Sequence, residues 1–257
     1  MNILPLVLVV LVLLSYAAFV IYRSYKDNKL IVQVTPLCRG ESSERRLILR
    51  LLNAGVNPRA IFHDLYIKKP NGEYTQLDVV VATKSGLIVF EVKDYSGWIF
   101  GDEKQKYWTQ VLAYGKEKHH FYNPVMQNAG HISSLRECLT NNPDIPIFSA
   151  IVFFGNCELK DVSVTSDYTY VFYDNSIRHF IDFVMHCREA TYGDKYQIMN
   201  VLTAGVNNGL DYNIVHSQRI SVSKYSQNLP QSTFYQKNWR YRGFGPGALL
   251  RRRRRGW

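Results

Sequence analysis

The chain has only four cysteines in 257 residues, and no two of them form a C-x-x-C pair. Their wide spacing argues against a zinc ribbon and a disulfide scaffold, and it suits a reducing compartment. The sequence also has no repeat of fixed period and no heptad run, which sets aside solenoids and coiled coils. With 46% hydrophobic and 20% charged residues, the composition excludes a disordered chain. The length suits one medium domain with appendages, or at most two small domains.

Acidic residues are scarcer than basic ones, at 21 Asp+Glu against 31 Lys+Arg, for a net charge of +10. The run Arg251–Arg255 supplies much of this excess. Such a run can bind phosphates on nucleic acid or on anionic lipid, or it can be a solvated tail. The charge therefore does not by itself identify a function.

Residues 3–22 contain no charged side chain. At about 1.5 Å per residue, this run reaches about 30 Å, the thickness of the hydrocarbon core of a bilayer. Arg23, Lys26 and Lys29 follow it and no basic residue precedes it, which predicts an outer N-terminus and a cytoplasmic body. A cleaved signal peptide is the alternative, but it normally has a basic start and a shorter apolar core.

The rest of the chain divides by composition. Residues 1–22 are the predicted transmembrane anchor, followed by a polar linker over 23–40 and a main domain over 41–185. A helical extension is expected over 186–221, and a polar, basic and flexible tail over 222–257.

Apolar periodicity predicts a helix between Ser42 or Ser43, as a cap, and Gly55, as a left-handed stop. Asn123-Pro124 predicts the start of a second helix that runs to about Leu139. Further helices are expected at Ser176–Cys187 and at Lys195–Ala204, with Gly205 as the stop. Strands are predicted at Ala60–Ile67, Tyr74–Thr83, Leu87–Lys93, Ile147–Phe154 and Tyr168–Tyr173, and a hairpin at Tyr95–Gln110.

Two of these almost continuously apolar strands contain an acid. Asp78 interrupts one and Glu91 the next, and Lys93 lies on the same side of its strand as Glu91. A two-residue turn at Lys84-Ser85 places Asp78 directly opposite Glu91, whereas a three-residue turn through Gly86 shifts that register. Because an unpaired buried carboxylate is costly, the two acids are expected to meet a cation or each other.

Two carboxylates with open water positions suit Mg²⁺ or Mn²⁺. Such an ion lowers the pKa of a bound water and neutralises charge on a phosphodiester, and Lys93 can orient or deprotonate that water or stabilise the oxyanion. The competing interpretation is a structural ion pair in the sheet.

Other candidates surround this group. Glu44 projects from the apolar face of the first helix and is a candidate third metal ligand, with Glu41 as its nearest rival. Gln127 is a candidate for contact with phosphate, and His131 lies one helical turn beyond it. The histidines have no metal-ligand spacing, so we expect surface or packing roles for them. Trp98 and Trp108 are expected in the core of the hairpin, with base stacking as the alternative.

Longer motifs make the interpretation more specific: GEYTQLDVVVATKSGLIVFEVKDYSGWIFG, YWTQ and FYNPVMQNAGHISSL. The stretch from Glu44 to about Leu139 resembles the nuclease-related domain (NERD), a branch of the PD-(D/E)XK restriction-endonuclease-like superfamily. The resemblance implies an α/β (α+β) fold, with an α-β-β-β-α-β core around a mixed sheet and DNA as substrate or ligand. By the same resemblance Asp78 and Glu91 match the metal-binding acids, Lys93 the active-site lysine, Glu44 the first-helix acid and Gln127 the polar helix position. Val79 departs from the pattern, since many relatives have His there.

These features together predict a membrane-anchored, Mg²⁺- or Mn²⁺-dependent nuclease that hydrolyses phosphodiester bonds in DNA. A non-catalytic module that binds nucleic acid or a protein near the membrane is the second hypothesis. The third is a structural membrane protein whose basic tail binds lipid.

Overall fold

The structure is a computed structural model that describes residues 4–211 and Ile214. The predictions for the tail at 222–257, including the run Arg251–Arg255, fall outside these residues. The helices of the described part are α1 (Leu4–Ile31), α2 (Ser42–Asn53), α3 (Pro124–Cys138), α4 (Ile177–His186) and α5 (Lys195–Asn208). The strands are β1 (Ile61–Lys68), β2 (Tyr74–Thr83), β3 (Gly86–Asp94), β4 (Gly97–Asp102), β5 (Tyr107–Leu112), β6 (Glu117–Tyr122), β7 (Ile147–Phe154), β8 (Cys157–Ser163) and β9 (Thr169–Tyr173).

The strands form two mixed sheets. The first has the order β1-β2-β3-β7-β9, in which β1, β2 and β3 are antiparallel neighbours while β7 runs parallel to both β3 and β9. The second has the order β6-β5-β4-β8, with β8 parallel to β4. The chain is therefore an α/β protein, and its first sheet follows the predicted α-β-β-β-α-β order.

Helices cover both faces of the first sheet. Helices α2 and α4 pack on one face, where residues such as Leu47, Phe90 and Ile181 form a buried cluster. Helices α3 and α5 pack on the other face, around Leu77, Val89 and Leu135 among others. Because both faces are buried, the central strands have almost no polar residues, and the acids that remain there stand out.

Helix α1 is long and apolar enough to cross a membrane, and none of its most apolar 18-residue window is buried against the rest of the protein. A signal sequence near the N-terminus meets the same criterion. The helix continues to Ile31, so the first part of the predicted linker is helical. Ile31 itself is buried, which places the end of α1 against the domain.

The ends of the helices confirm some predictions and correct others. Asn123 caps α3 by accepting from the Val125 N–H, and Gly55 (φ +92°) follows α2 as a left-handed stop. The predicted serine cap of α2 is wrong: the helix begins at Ser42, and Glu41 occupies the cap position without a side-chain cap hydrogen bond.

The predicted stop at Gly205 is also wrong, since α5 continues through it to Asn208. A Cβ at Gly205 would lie 2.9 Å from Ile67 Cδ1 and 3.2 Å from Leu65 Cβ. The glycine therefore allows α5 to approach β1 closely. A glycine that serves packing and a glycine that ends a helix have the same sequence signature.

The second sheet is larger than the predicted hairpin. Strands β4 and β5 fall in the predicted region, but β6 and β8 were not predicted. Neither added strand has the buried pattern of a central strand, and β8 alternates between half-buried and exposed residues. Trp108 is fully buried, as the hairpin-core interpretation predicts.

Candidate active site

The pairing of β2 with β3 has the register that the two-residue turn predicts. Val79 lies opposite Phe90 and Thr83 opposite Gly86, and the ladder ends at Val79. Beyond it, the Asp78 side chain replaces the ladder, because its Oδ2 accepts a hydrogen bond from the Val92 N–H at 2.8 Å. Asp78 is thereby held at the point where β2 and β3 separate.

The pairing of β1 with β2 is interrupted at the same level. It passes from His63 opposite Val79 to Leu65 opposite Leu77, and the intervening Asp64 has a left-handed backbone with φ of 56°. Aspartate tolerates this conformation better than most residues. Asp78 therefore lies at a break in the sheet on both of its sides.

Glu91 and Lys93 lie on β3 beside this break, on the face covered by α3. Lys93 Nζ donates to Glu91 Oε1 at 2.6 Å and to Gln127 Oε1 on α3 at 3.0 Å. Both side chains are largely buried, with 3% of Glu91 and 15% of Lys93 exposed. The predicted residues Glu91, Lys93 and Gln127 thus form one connected group.

The second oxygen of Glu91 has no hydrogen bond within the described residues, although it is buried. His131 Nε2 on α3 is 3.4 Å away, and His131 Nδ1 is 2.7 Å from Thr75 Oγ1 on β2. Among the described residues, Asn128 Oδ1 is the other buried side-chain atom without a hydrogen bond. The amide nitrogen of Asn128 donates to Val89 O and Ser149 Oγ. Since buried polar atoms are nearly always paired, Glu91 Oε2 is a candidate ligand atom.

Charge acts differently on the two acids. Burial raises the pKa of Asp78 well above its usual value, and the charges of Glu91 and Glu44 raise it further against the opposing effect of the Val92 N–H. Burial also raises the pKa of Glu91, but Lys93 and His131 outweigh burial and lower it to about 2. A second negative charge beside Glu91 is therefore disfavoured, and Asp78 holds its proton to a higher pH than an ordinary aspartate.

Lys93 stays cationic in this arrangement. Burial alone lowers its pKa, but Glu91 and then Tyr95 raise it above its usual value. Tyr95 had no predicted role. It packs edge-on against Phe121, with ring centres 4.8 Å apart, and so connects Lys93 to the second sheet.

Glu44 is buried beside this group but has a different partner. Its Oε2 is 2.9 Å from His63 Nε2, and His63 Nδ1 is 2.8 Å from Thr35 Oγ1. A Cβ at Gly40 would collide with both Glu44 and His63, so a glycine is needed there. The charge of Glu44 reaches Asp78, while its role as a metal ligand stays a prediction.

Asp64 completes the polar surroundings of Asp78. Arg39 Nε donates to Asp64 Oδ2 at 3.0 Å, and Gln76 Nε2 donates to Asp64 Oδ1 at 2.7 Å. Arg39 also donates to the carbonyl oxygens of Asp64 and Val206, which ties the segment after α1 to β1 and α5. Neither His63 nor Asp64 could be identified from sequence, because nothing marks them as neighbours of Glu44 or Asp78.

The oxygen ligands at this site fit a Mg²⁺ or Mn²⁺ ion that is held by few protein side chains. Within residues 4–211 and at Ile214, no group of three or more His, Cys, Asp or Glu side chains could enclose a metal ion. Two carboxylates, one with a free buried oxygen, instead fit a hard cation that keeps several water or phosphate ligands. Mg²⁺ is bound in this manner more often than in an all-protein cage.

The break in the central sheet thus brings Asp78, Glu91 and Lys93 together beside α3. A family model described as the nuclease-related domain, NERD, matches residues 39–154. An uncharacterized protein of Bacillus anthracis is 31% identical over 157 residues, which are 60% of this chain and 71% of the relative. No solved structure matches the chain significantly. The chain belongs to the NERD, or nuclease-related domain, family.

Proposed function

We propose that this protein is a metal-dependent nuclease that hydrolyses phosphodiester bonds in DNA. The observation that carries the proposal is the cluster of Asp78, Glu91 and the ammonium group of Lys93, in which the buried Glu91 Oε2 has no hydrogen bond and a 3.4 Å contact with His131 Nε2. An unpaired buried oxygen costs about 1–3 kcal/mol, so such an oxygen on a carboxylate beside a second acid favours a ligand site over a purely structural ion pair.

Asp78 and Glu91 are the residues that would hold the ion, Mg²⁺ or Mn²⁺. When bound, the ion would lower the pKa of a water ligand and neutralise charge on the phosphate. Glu44, engaged by His63, would act behind Asp78 by adding negative charge to the pocket.

Lys93, Gln127 and His131 have separate roles at the site. Lys93 supplies a fixed positive charge, because its nitrogen is ion-paired with Glu91 and held by Gln127. This position suits an electrostatic role toward the phosphate oxygens and orientation of the attacking water, rather than removal of a proton from it. Gln127 orients Lys93, and the pair Thr75–His131 flanks the free oxygen of Glu91.

We also propose that α1 is an uncleaved membrane anchor, with its N-terminus outside and the nuclease domain in the cytoplasm. The support is the apolar length of α1 and the basic residues at its C-terminal end. Digestion of intact and opened cells with protease, followed by detection of the domain, tests this orientation. Cleavage of the domain in intact cells would contradict it.

A nuclease assay tests the function. Purified full-length protein in detergent is incubated with single-stranded DNA, duplex DNA and RNA in Mg²⁺, Mn²⁺ or EDTA. We expect cleavage of DNA that requires the divalent ion and stops in EDTA. Binding of nucleic acid with no turnover in either metal would instead support the non-catalytic module.

A further inference from the structure

The second sheet has one face packed on the protein and one face toward solvent. On the packed face Ile99, Trp108 and Phe121 contact Ile151 and Phe153 of β7. Side chains alternate along each strand, so the next residues point to the opposite face. That outer face has an unusual composition for a solvent-facing sheet.

Three rows of side chains cross β4, β5 and β6 on this outer face. Strand register places Val111 between Trp98 and Lys118, and Thr109 between Phe100 and His120. The third row pairs Tyr107 with Tyr122. We call the four rings Trp98, Phe100, Tyr107 and Tyr122 the aromatic face.

The rings of the aromatic face are half-buried, except for the exposed Tyr122, and two of them lie next to a lysine. Tyr122 is 43% exposed, and its ring lies 6.4 Å from that of Tyr107 in an edge-on arrangement. Lys106 Nζ lies 5.5 Å from the centre of the Tyr107 ring, and Lys160 Nζ lies 5.5 Å from the centre of the Trp98 ring. Aromatic rings combined with amines can stack on bases and hold phosphates.

Charge is distributed unevenly across this face. The outward side of β5 and β6 holds Lys118 and His120 and no acid, and the exposed Lys106 directly precedes β5. The β8 edge holds acids, since Glu158 lies opposite Trp98 and Asp161 opposite Phe100. A polyanion is therefore favoured on the β5–β6 half, and β6 is followed directly by α3, which carries Gln127 and His131.

The aromatic face is rigidly connected to the candidate site. Tyr122 is followed directly by Asn123, the cap of α3, and α3 carries Gln127 and His131. The Asn123 amide donates to the carbonyl oxygens of Glu103 at 2.9 Å and Gln105 at 2.7 Å in the β4–β5 turn. One buried side chain thus fixes both the turn of this sheet and the helix that contacts Lys93.

We propose that the aromatic face, with Lys106 and Lys118, binds single-stranded nucleic acid that is the substrate of the site at Asp78 and Glu91. This inference deepens the proposed function, on which its link to the site rests. The preference for a single strand follows from the rings, because a duplex offers its phosphates but keeps its base faces stacked inside. The lysines supply the attraction that every nucleic acid shares.

Binding is measured by fluorescence anisotropy of a short labelled oligothymidylate with full-length protein in detergent and EDTA. The double variant Tyr107→Ala/Tyr122→Ala should lose affinity by at least about tenfold, while Tyr107→Phe/Tyr122→Phe keeps the rings and binds like the parent. Tyr196→Ala, which removes an 84% exposed ring on α5, is the matched control and should have no effect.

The lysines give an independent signature. Lys106→Glu and Lys118→Glu should each weaken binding and reduce its salt dependence, whereas the tyrosine variants should leave the salt dependence unchanged. Lys84→Glu, at the β2–β3 turn on the other end of β3, should change neither.

Other results would overturn the proposal. One is an affinity equal to that of the parent in Tyr107→Ala/Tyr122→Ala, with unchanged thermal unfolding. Another is an equal loss of affinity for duplex and for single-stranded DNA in that variant. The third is a loss of affinity in Tyr107→Phe/Tyr122→Phe as large as in the alanine variant. The proposed function is tested separately, because Asp78→Asn should abolish cleavage and keep the affinity for the oligonucleotide. A protein that binds through this face but never cleaves would refute the nuclease and leave the binding face in place.

Discussion

Two buried glutamates, Glu44 and Glu91, lie on opposite faces of the first sheet and differ in how they are satisfied. Glu44 is 4% exposed and ends a chain of contacts through His63 to Thr35. Glu91 is 2% exposed, and one of its oxygens is bound by Lys93 while the other has no hydrogen bond in the described structure. We propose that Glu44 stabilises the fold, whereas Glu91 is available to a ligand.

The same contrast explains why the site is costly. The polar atoms of the Glu44 group are satisfied within that group. Ionised Asp78 is stabilised by the Val92 N–H and by the charge of Lys93, but the negative charges of Glu91 and Glu44 oppose its ionisation. Active sites often carry unfavourable charge that ligand binding relieves, at a cost to stability. Four predictions test whether the two groups differ in this way.

The largest expected effect is the loss of cleavage when the open group is changed. Glu91→Gln and Lys93→Ala should each reduce DNA cleavage by at least about a hundredfold, since a fixed charge at the reaction centre is removed. Asp94→Asn is the matched control. It alters an exposed acid next to Lys93 and should retain activity. Full activity in both site variants would show that the site is elsewhere.

The second prediction concerns the stability that the buried contact between Glu44 and His63 provides. His63→Phe leaves the buried Glu44 without its partner and should lower the free energy of unfolding by about 3 kcal/mol. Asp94→Asn, which breaks an exposed ion pair with Arg46, should cost less than about 1 kcal/mol. Denaturant unfolding measures both, and equal small losses would mean that the Glu44 group contributes no special stability.

The third prediction is a gain in stability, in contrast to the loss expected for His63→Phe. Asp78→Asn should raise the melting temperature at neutral pH, because it removes a buried acid whose pKa is raised and keeps an acceptor for the Val92 N–H. For a domain of this size each kcal/mol corresponds to about 2–4 °C.

The pH dependence of that difference follows from the raised pKa. Protonated Asp78 favours the folded wild type below the usual aspartate pKa of 3.8, and this advantage is lost as the pH rises through the higher folded-state pKa. The melting temperatures of wild type and Asp78→Asn should therefore be close near pH 4 and diverge toward neutral pH. A constant or shrinking difference would contradict the assigned cause.

The smallest effect is expected at Gln127. Gln127→Ala removes one hydrogen bond to Lys93 and leaves the ion pair with Glu91, so cleavage should fall by about tenfold with little change in stability. Kinetic measurement at saturating DNA checks this. A loss as large as that of Lys93→Ala would mean that Gln127 contacts the substrate or the ion directly.

Much of this site follows from sequence, because hydrophobic alternation fixes faces. The strands at Tyr74–Thr83 and Ile147–Phe154 have the predicted bounds. The two-residue turn, one of two alternatives that the sequence left open, places Thr83 opposite Gly86 and so sets the register that brings Asp78 opposite Glu91. The resemblance to the nuclease-related domain supplied Gln127 as the polar residue on α3, and the structure places it next to Lys93.

The rest depends on distant contacts that no local pattern encodes. His131 was expected in a surface or packing role, yet it lies 3.4 Å from Glu91, because the packing of α3 on β3 decides which residues meet. His63 and Asp64 lie inside an apolar strand, and their partners Glu44 and Arg39 come from earlier segments. Strands β6 and β8 were missed because edge strands with one exposed face carry charged residues like loops.

A Mn²⁺ titration by calorimetry tests the central claim most directly. It uses the full-length protein and compares the parent with Glu91→Gln and Glu44→Gln. We expect that the parent binds Mn²⁺, that Glu91→Gln does not, and that Glu44→Gln still does with weakened affinity. Mn²⁺ affinity in Glu91→Gln equal to that of the parent, or no binding by the parent, would contradict the assignment of Glu91 and Asp78 as the metal site.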